Sequence, residues 1–208
     1  MGPQLGALLN RFFGGEGQDA IALDLLMHMP VGTIDRRRMD GVARTFVGHQ
    51  ATLRLHIDRH EPAPRNMPTR PHRVFAHDES GEIQLVYFRA AGGWVEKLLP
   101  VGEERYVAGT IGFFNGMKQI THPDYVIPVE EFASMPLVEP VYPLTHGLTA
   151  KALNKLMREV LASVPALPEW IPDERMEQFQ WPGFAAAMTA VHAPAEPQDS
   201  ELWGAARM

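Results

Sequence analysis

HRVFAHDESGEIQLVYF, residues 72–88, is the stretch that predicts the fold of the middle of this chain. In its second half apolar side chains recur at every second position, at Ile83, Leu85 and Tyr87, which is the period of a strand with one buried face. The four residues DESG between the two apolar runs tolerate the geometry of a tight turn. The stretch therefore predicts an antiparallel hairpin whose second strand ends at Phe88 and Arg89.

Further strands are predicted on both sides of this hairpin. ATLRLHIDRH (51–60) alternates apolar and polar residues, and ERYVAGTIGFF (104–114) meets MKQITHPDYVI (117–127) at Asn115-Gly116, the strongest short hairpin signal. WVEKLLP (94–100) reads as a short helix between the third and fourth strands. Five antiparallel strands with a helix at that place match the Greek-key barrel called the OB-fold. The fold class is therefore predicted to be α+β, a five-stranded antiparallel OB-fold barrel flanked by N-terminal and C-terminal helical segments.

The regions outside the barrel have helical spacing and capping residues. Thr149 stands before AKALNKLMREVL, whose apolar residues form one stripe, and is a predicted N-cap. We expect four parts: an N-terminal helical segment over 1–40, the barrel over 41–130, a helical linker region over 131–192, and a flexible, proline-rich tail over 193–208.

Composition indicates the class of protein. The 208 residues contain no cysteine, which excludes a disulfide scaffold and thiolate metal sites. No run of 18 apolar residues predicts a membrane span, and the N-terminus is a poor signal peptide. We expect a cytoplasmic monomer that does not bind membranes.

The charge is unevenly distributed along the chain. The formal net charge is −6, yet residues 33–75 contain nine arginines and only four acidic residues. The planar guanidinium can donate two parallel hydrogen bonds to a phosphate, so this block could bind nucleic acid. The alternative is a solvated face whose arginines pair with the acidic remainder of the chain.

Catalytic signatures are missing from the sequence. There is no Walker A motif, no G-x-S-x-G and no H-E-x-x-H. We therefore expect no catalytic residue, no cofactor in this chain, and no reaction catalysed by the chain alone. His56 and His60 are expected on one face of a strand, but with no third ligand nearby a solvated face is preferred to a metal site.

Aromatic residues near the end of the third strand could either pack in the core or stack on a bound base. Tyr87 shares a face with Ile83 and Leu85 and is expected in the core. Phe88 has the opposite phase, beside Arg89, and could stack on a base, an interaction that every base can make. Trp94 is open to both interpretations, with core packing favoured by its place on the short helix.

Five segments, in order, resemble the N-terminal wedge region of RecG-type helicases, which remodel branched DNA. Singly each motif is weak, but their order around a predicted OB-fold is specific. They are LDLLMHMPVGTIDRRRM (23–39), THPDY (121–125), VYPLTHGLTAKALNKLM (141–157), LPEWIP (167–172) and VHAP (191–194).

The resemblance implies a function and a partner. The family's wedge sits at a fork junction, separates the arms and stacks aromatic side chains on unpaired bases. One of the family's stacking residues corresponds to Phe88 in this chain. At the position of a second stacking residue this chain has Gly92, with Trp94 nearby. It further implies two ATPase lobes beyond the linker that bind ATP and Mg, and these lobes are absent from this sequence.

Charge alone, rather than a family motif, predicts the phosphate contacts. The predicted contacts are Arg54, Arg59, Arg65, Arg70, Arg73 and Arg89. Two other functions stay open at this point: a module that binds single strands without preference for forks, and a protein-interaction fragment that binds no DNA.

Overall fold

The computed structural model describes residues 3–14, 19–37, 41–64, 67, 69–90, 93–165 and 167–196. The chain divides into two compact units. The helical unit comprises Met1–Asp35 and Val138–Met208, and the barrel unit comprises Arg36–Leu137. The predicted tail over 193–208 lies largely outside the described residues. None of the described helices is both long and apolar enough to cross a bilayer.

Six α-helices, eight strands and two 3-10 helices are found in the described residues. In chain order they are α1 (Pro3–Phe13), α2 (Ala22–Leu26), β1 (Gly32–Asp35), a 3-10 helix (Val42–Arg44), β2 (Gln50–Glu61), β3 (His72–Asp78), β4 (Gly81–Tyr87), α3 (Trp94–Leu98), β5 (Glu104–Phe114), β6 (Met117–Thr121), β7 (Tyr125–Pro128), a second 3-10 helix (Val129–Ser134), β8 (Val138–Val141), α4 (Ala150–Ala162), α5 (Asp173–Phe179) and α6 (Phe184–His192).

Five strands close into a barrel in the order β2-β3-β4-β6-β5, with β5 pairing back onto β2. This closed barrel, with α3 between its third and fourth strands, confirms the predicted OB-like α+β fold. The prediction of an entirely antiparallel barrel is wrong at one place, because β4 and β6 are parallel. A parallel pair needs a long connection, and here α3 and β5 supply it.

The predicted fifth strand, residues 117–127, consists of two strands. β6 pairs with the C-terminal half of β5 and β7 pairs with its N-terminal half. Between them His122 has a φ of +48° and interrupts the extended backbone. Gly109 of β5 faces this break, and a Cβ there would approach the side chain of Ile120 to 2.6 Å, so only glycine fits.

The barrel core follows the predicted alternation. Inward side chains of the strands are fully or almost fully buried, and Val95 and Leu99 from the α3 region complete the core. Buried strand residues include Leu53, Leu55, Ile57, Val74, Ile83, Leu85, Tyr87, Val107, Ile111 and Ile120. Burying a side chain of this size contributes about 1.5–3 kcal/mol to stability, which makes this cluster the main determinant of the barrel.

A β-bulge in β2 changes which histidines share a face. The register against β3 shifts between Ile57 and Arg59. The extra residue reverses the alternation beyond it. His60 consequently contacts His72 (Nδ1 to Nε2, 2.8 Å) and the carbonyl oxygen of Leu99 (2.7 Å). The expectation that His56 and His60 lie on one face is therefore wrong.

Both predicted hairpin turns are present. In the β3–β4 turn the carboxylate of Asp78 accepts hydrogen bonds from the N–H groups of Ser80 and Gly81, and also from that of Val42. Burial alone would raise the pKa of Asp78, but a hydrogen bond from the Ser80 hydroxyl, together with those from the N–H groups, lowers it. In the β5–β6 turn Asn115 and Gly116 both have positive φ, as a type I′ turn requires.

The helical unit contains a two-stranded sheet that the sequence did not predict, formed by the antiparallel strands β1 and β8. Its helices pack through a second apolar cluster that includes Leu25, Leu153 and Met157. Thr149 caps α4 as predicted, because its hydroxyl oxygen accepts a hydrogen bond from the N–H of Ala152.

A buried polar network lies within that cluster. The hydroxyl of Tyr142 meets Nδ1 of His192 at 2.9 Å, and Nε2 of His192 meets the carbonyl oxygen of Leu26 at 2.9 Å. Since a carbonyl can only accept, Nε2 carries the proton and Nδ1 accepts from the tyrosine. The Tyr142 ring stacks between the rings of His192 and His28. Burial lowers the pKa of His192 and keeps it neutral.

Candidate nucleic-acid interface

The strand pairing brings two connecting segments together at one end of the barrel. His72 at the start of β3 lies opposite Tyr87 at the end of β4. The loop before β3 and the turn after β4 therefore meet. There an open hollow of about 700 Å³ is lined by Thr69, Phe88, Arg89 and His122. We call this feature the β4-end hollow.

Phe88 points away from the barrel core. The residue is 47% exposed, whereas its neighbour Tyr87 is 3% exposed. Burial raises the pKa of Tyr87 and keeps its hydroxyl protonated. Arg89, the next residue, has a φ of +56°. This left-handed conformation is uncommon for a residue with a side chain, and it turns the chain away from the sheet directly after Phe88.

His122 supports Phe88 from the neighbouring β6–β7 turn. The N–H of Phe88 donates a hydrogen bond to Nε2 of His122 at 3.2 Å, and the two rings lie 6.0 Å apart. The N–H of His122 in turn donates to the carbonyl oxygen of Val86. Sequence reasoning did not assign His122 a role, although it belongs to the THPDY segment.

Trp94 at the start of α3 is close to the same aromatic group. Its ring meets Tyr87 edge-on at 5.3 Å, and its side chain is 43% exposed. Part of the indole therefore packs on a core residue and part faces solvent. Gly92, at the place of a second family stacking residue, lies outside the described residues.

Three of the predicted phosphate-binding arginines already have protein partners. Arg54 forms a 2.5 Å ion pair with Glu104, whose hydrogen bond raises the pKa of this arginine. Arg73 lies 3.7 Å from Glu61. The guanidinium of Arg59 stacks over the ring of Phe75 at 3.6 Å. A phosphate would have to compete with these contacts.

Arg70 and Arg89 differ from those three. Arg89 lines the β4-end hollow and Arg70 follows the lining residue Thr69 in the chain. Within the described part of the chain neither side chain has an ion pair or a hydrogen-bond partner. Arg65, the remaining predicted contact, lies outside the described residues. The structure therefore brings Phe88 and Arg89 to one place, with Arg70 next to Thr69.

The chain matches the family model of the RecG wedge domain over residues 6–164. The chain belongs to the RecG wedge domain family. The resemblance read from the sequence is thereby confirmed. The chain is 24% identical over 194 residues to the ATP-dependent DNA helicase RecG of Synechocystis sp. (strain ATCC 27184 / PCC 6803 / Kazusa), covering 86% of this chain and 23% of that protein.

Two further comparisons agree with this assignment. The ATP-dependent DNA helicase RecG of Acidithiobacillus ferridurans is 26% identical over 177 residues, covering 83% of this chain and 25% of that protein. The chain thus spans about a quarter of the length of these relatives. A solved structure of RecG bound to a three-way DNA junction superposes with a TM-score of 0.72 at 23% identity, covering 100% of this chain and 28% of that one. This likeness shows the same fold.

Two segments that resemble the wedge family meet inside the barrel unit. Arg36 follows the aspartate of the 23–39 segment and is buried. Its guanidinium lies 3.9 Å from the carboxylate of Asp124 and over the ring of Tyr125 at 4.9 Å. Both partners belong to the THPDY segment. Part of the arginine excess therefore stabilises the wedge fold, so the charge count overestimates the cations that face solvent.

The segments of the helical unit converge in the same way. His28 lies in the 23–39 segment, Tyr142 in the 141–157 segment and His192 in VHAP, and these are the residues of the buried polar network. Residues from three distant parts of the chain are thus held by one set of hydrogen bonds and stacked rings. In this chain these segments contribute to the structure, and the β4-end hollow is the candidate binding surface.

Proposed function

We propose that this chain binds branched DNA, such as replication forks and Holliday junctions, as the wedge part of an ATP-dependent DNA helicase of recombination and repair. The observation that supports the proposal is the β4-end hollow, where the exposed Phe88 lies beside Arg89, and where Arg70 follows the lining residue Thr69 in the chain. A junction offers an unpaired base for the ring and phosphates for the cations. The similar RecG structure, which is bound to a three-way DNA junction, supports the same class of ligand.

The roles of the side chains follow from their chemistry. Phe88 stacks on the base left unpaired at the branch point, a contact worth roughly 1–3 kcal/mol. Arg89 and Arg70 bind the flanking phosphates through charge-assisted hydrogen bonds. His122 does not touch DNA in this scheme; it holds the backbone of Phe88 and fixes the direction of the ring. Trp94 offers a second aromatic surface for a base.

The chemical work of the helicase belongs to other parts of the whole protein. We propose that this chain contributes binding and strand separation, that ATP and Mg are bound by the helicase lobes of the complete protein, and that the chain hydrolyses no ATP. The length of the RecG relatives, about four times the span matched here, supports this division.

Fluorescence anisotropy tests the binding proposal directly. The 208-residue chain is titrated into a labelled three-way junction, a linear duplex and a single strand, each at several salt concentrations. We expect tighter binding to the junction than to either linear DNA. Equal binding to the junction and the single strand would replace the wedge function by a generic single-strand-binding module. Binding to none of them would contradict DNA binding by this chain and favour a protein-interaction role.

The salt dependence of binding tests the phosphate contacts. Each phosphate contact contributes about 0.7–0.9 to the slope of log K against log salt concentration. We expect Arg70→Ala and Arg89→Ala each to lower the magnitude of this slope by about one unit, because neither side chain has a partner among the described residues that a phosphate would have to displace.

Arg54→Ala is the matched comparison for those two variants. Glu104 already neutralises this arginine, so its removal is expected to change the slope much less. An unchanged slope in Arg70→Ala, or a larger change in Arg54→Ala, would contradict this ranking of the arginines.

A further inference from the structure

Three side chains of the types that ligate metals converge on the outer face of the barrel, on strands β2 and β3. His56 lies directly opposite His77 in the β2–β3 ladder. Asp58 lies two residues after His56 on β2, at the β-bulge. Nδ1 of His77 lies 2.8 Å from Oδ1 of Asp58, and Nδ1 of His56 lies 3.2 Å from the same oxygen. One donor atom from each residue lies within 4.8 Å of the other two.

These separations are close to those of ligands around a small cation. In a tetrahedral zinc site with metal–ligand distances of about 2.0–2.1 Å, two ligand atoms lie about 3.3 Å apart. Small rotations of the two rings would therefore open a space between three donors that already face one another. All three side chains are between a third and a half exposed, so an ion can reach them from solvent.

The charge of the site favours a cation. Asp58 places a carboxylate between the two imidazoles. Two further carboxylates flank the histidines across the ladder: Glu82 opposite His77, and Glu104 opposite His56. Glu104 is paired with Arg54, which leaves Glu82 to add negative charge beside the cluster.

We propose that His56, Asp58 and His77 bind one divalent transition-metal ion of the Zn²⁺ class. Two imidazole nitrogens and one carboxylate oxygen suit Zn²⁺ and its neighbours in the first transition row, whereas Mg²⁺ and Ca²⁺ prefer oxygen ligands alone. The fourth position is taken by water. A bound ion bridges β2 and β3 next to the bulge and fixes their pairing.

Isothermal titration of the 208-residue chain with zinc chloride tests the site. We expect one ion per chain. We also expect the unfolding temperature to rise by about 5–10 °C at a hundredfold excess of zinc over Kd. The visible absorption of Co²⁺ depends on its ligands. Titration with Co²⁺ therefore reports coordination by nitrogen and oxygen without relying on the calorimetric signal.

Substitutions of the proposed ligands test which residues bind the ion. His77→Ala and Asp58→Asn are expected to weaken zinc binding about tenfold or more, while circular dichroism of both stays that of the parent chain because the side chains are partly exposed. His146→Ala, which removes an exposed histidine of the helical unit, is the matched control and keeps full binding. Absence of any bound ion, or binding that survives both His77→Ala and Asp58→Asn, would overturn the proposal.

Discussion

Replacing Phe88 with alanine is expected to weaken binding to a three-way junction by roughly 1–3 kcal/mol, which is about a 5- to 150-fold rise in Kd. The ring is about half exposed and its backbone is held by His122. Truncation therefore removes a surface for a base and leaves the barrel core unchanged. The measurement is anisotropy with the junction and with a linear duplex, on which the loss is expected to be much smaller.

Phe113→Ala is the matched control for this variant. Phe113 is also an exposed phenylalanine on the barrel, 59% accessible, but it lies near the β5–β6 turn and does not line the β4-end hollow. Its removal is expected to leave junction affinity within a factor of about two. Equal losses in the two variants would show that no particular ring stacks at the branch point. Unfolding of Phe88→Ala would instead make Phe88 a core residue.

Local sequence patterns were sufficient for strands β2 to β5 and for the tight turns. The turn at Asp78 depends on hydrogen bonds between residues two and three apart, and the turn at Asn115-Gly116 depends on the positive φ that these residues tolerate. Such information is contained in a few neighbouring residues. The same holds for Phe88, since the period of two places it on the opposite phase from Tyr87.

Features that join distant segments could not be predicted in this way. The parallel β4–β6 pair and the β1–β8 pair connect residues that no short pattern links. The contact of His122 with Phe88 depends on the first of these pairs. Counting charges likewise could not show that Arg54 forms an ion pair with Glu104, which lies fifty residues further along the chain. A single bulge after Ile57 also placed His60 on the opposite face of β2 from His56.

Replacing His192 with alanine is expected to destabilise the helical unit by about 3 kcal/mol. The substitution leaves a cavity and removes the partners of the Tyr142 hydroxyl and the Leu26 carbonyl, both of which are buried. Each unsatisfied buried group costs about 1–3 kcal/mol. Hydrogen exchange is the direct measurement, with protection expected to fall in α4 and α6. Tyr142→Phe, which removes only the hydroxyl, is expected to cost about 1 kcal/mol.

The stability that is lost in His192→Ala should also depend on pH. Burial lowers the pKa of His192 in the folded chain, while an unfolded histidine titrates near its ordinary value of about 6.5. Below that value the unfolded chain binds a proton that folded His192 does not, so the stability contributed by neutral His192 is lost as the pH falls from about 6.5 through the lowered pKa. The hydrogen bond with the Leu26 carbonyl opposes this shift in the pKa of His192, and His28, which faces the same network, adds to it.

The difference in stability between the parent chain and His192→Ala should therefore be largest near about pH 7.5 and shrink towards about pH 5.5, because only the parent chain carries this proton linkage. Chemical unfolding of both chains at several pH values measures it. His146→Ala, which changes an exposed histidine of the same unit, is expected to alter stability by less than about 0.5 kcal/mol at every pH. A difference for His192→Ala that stays constant with pH would contradict a neutral, buried His192. If His146→Ala proved equally destabilising, the hydrogen-bond network would not be what joins the three segments.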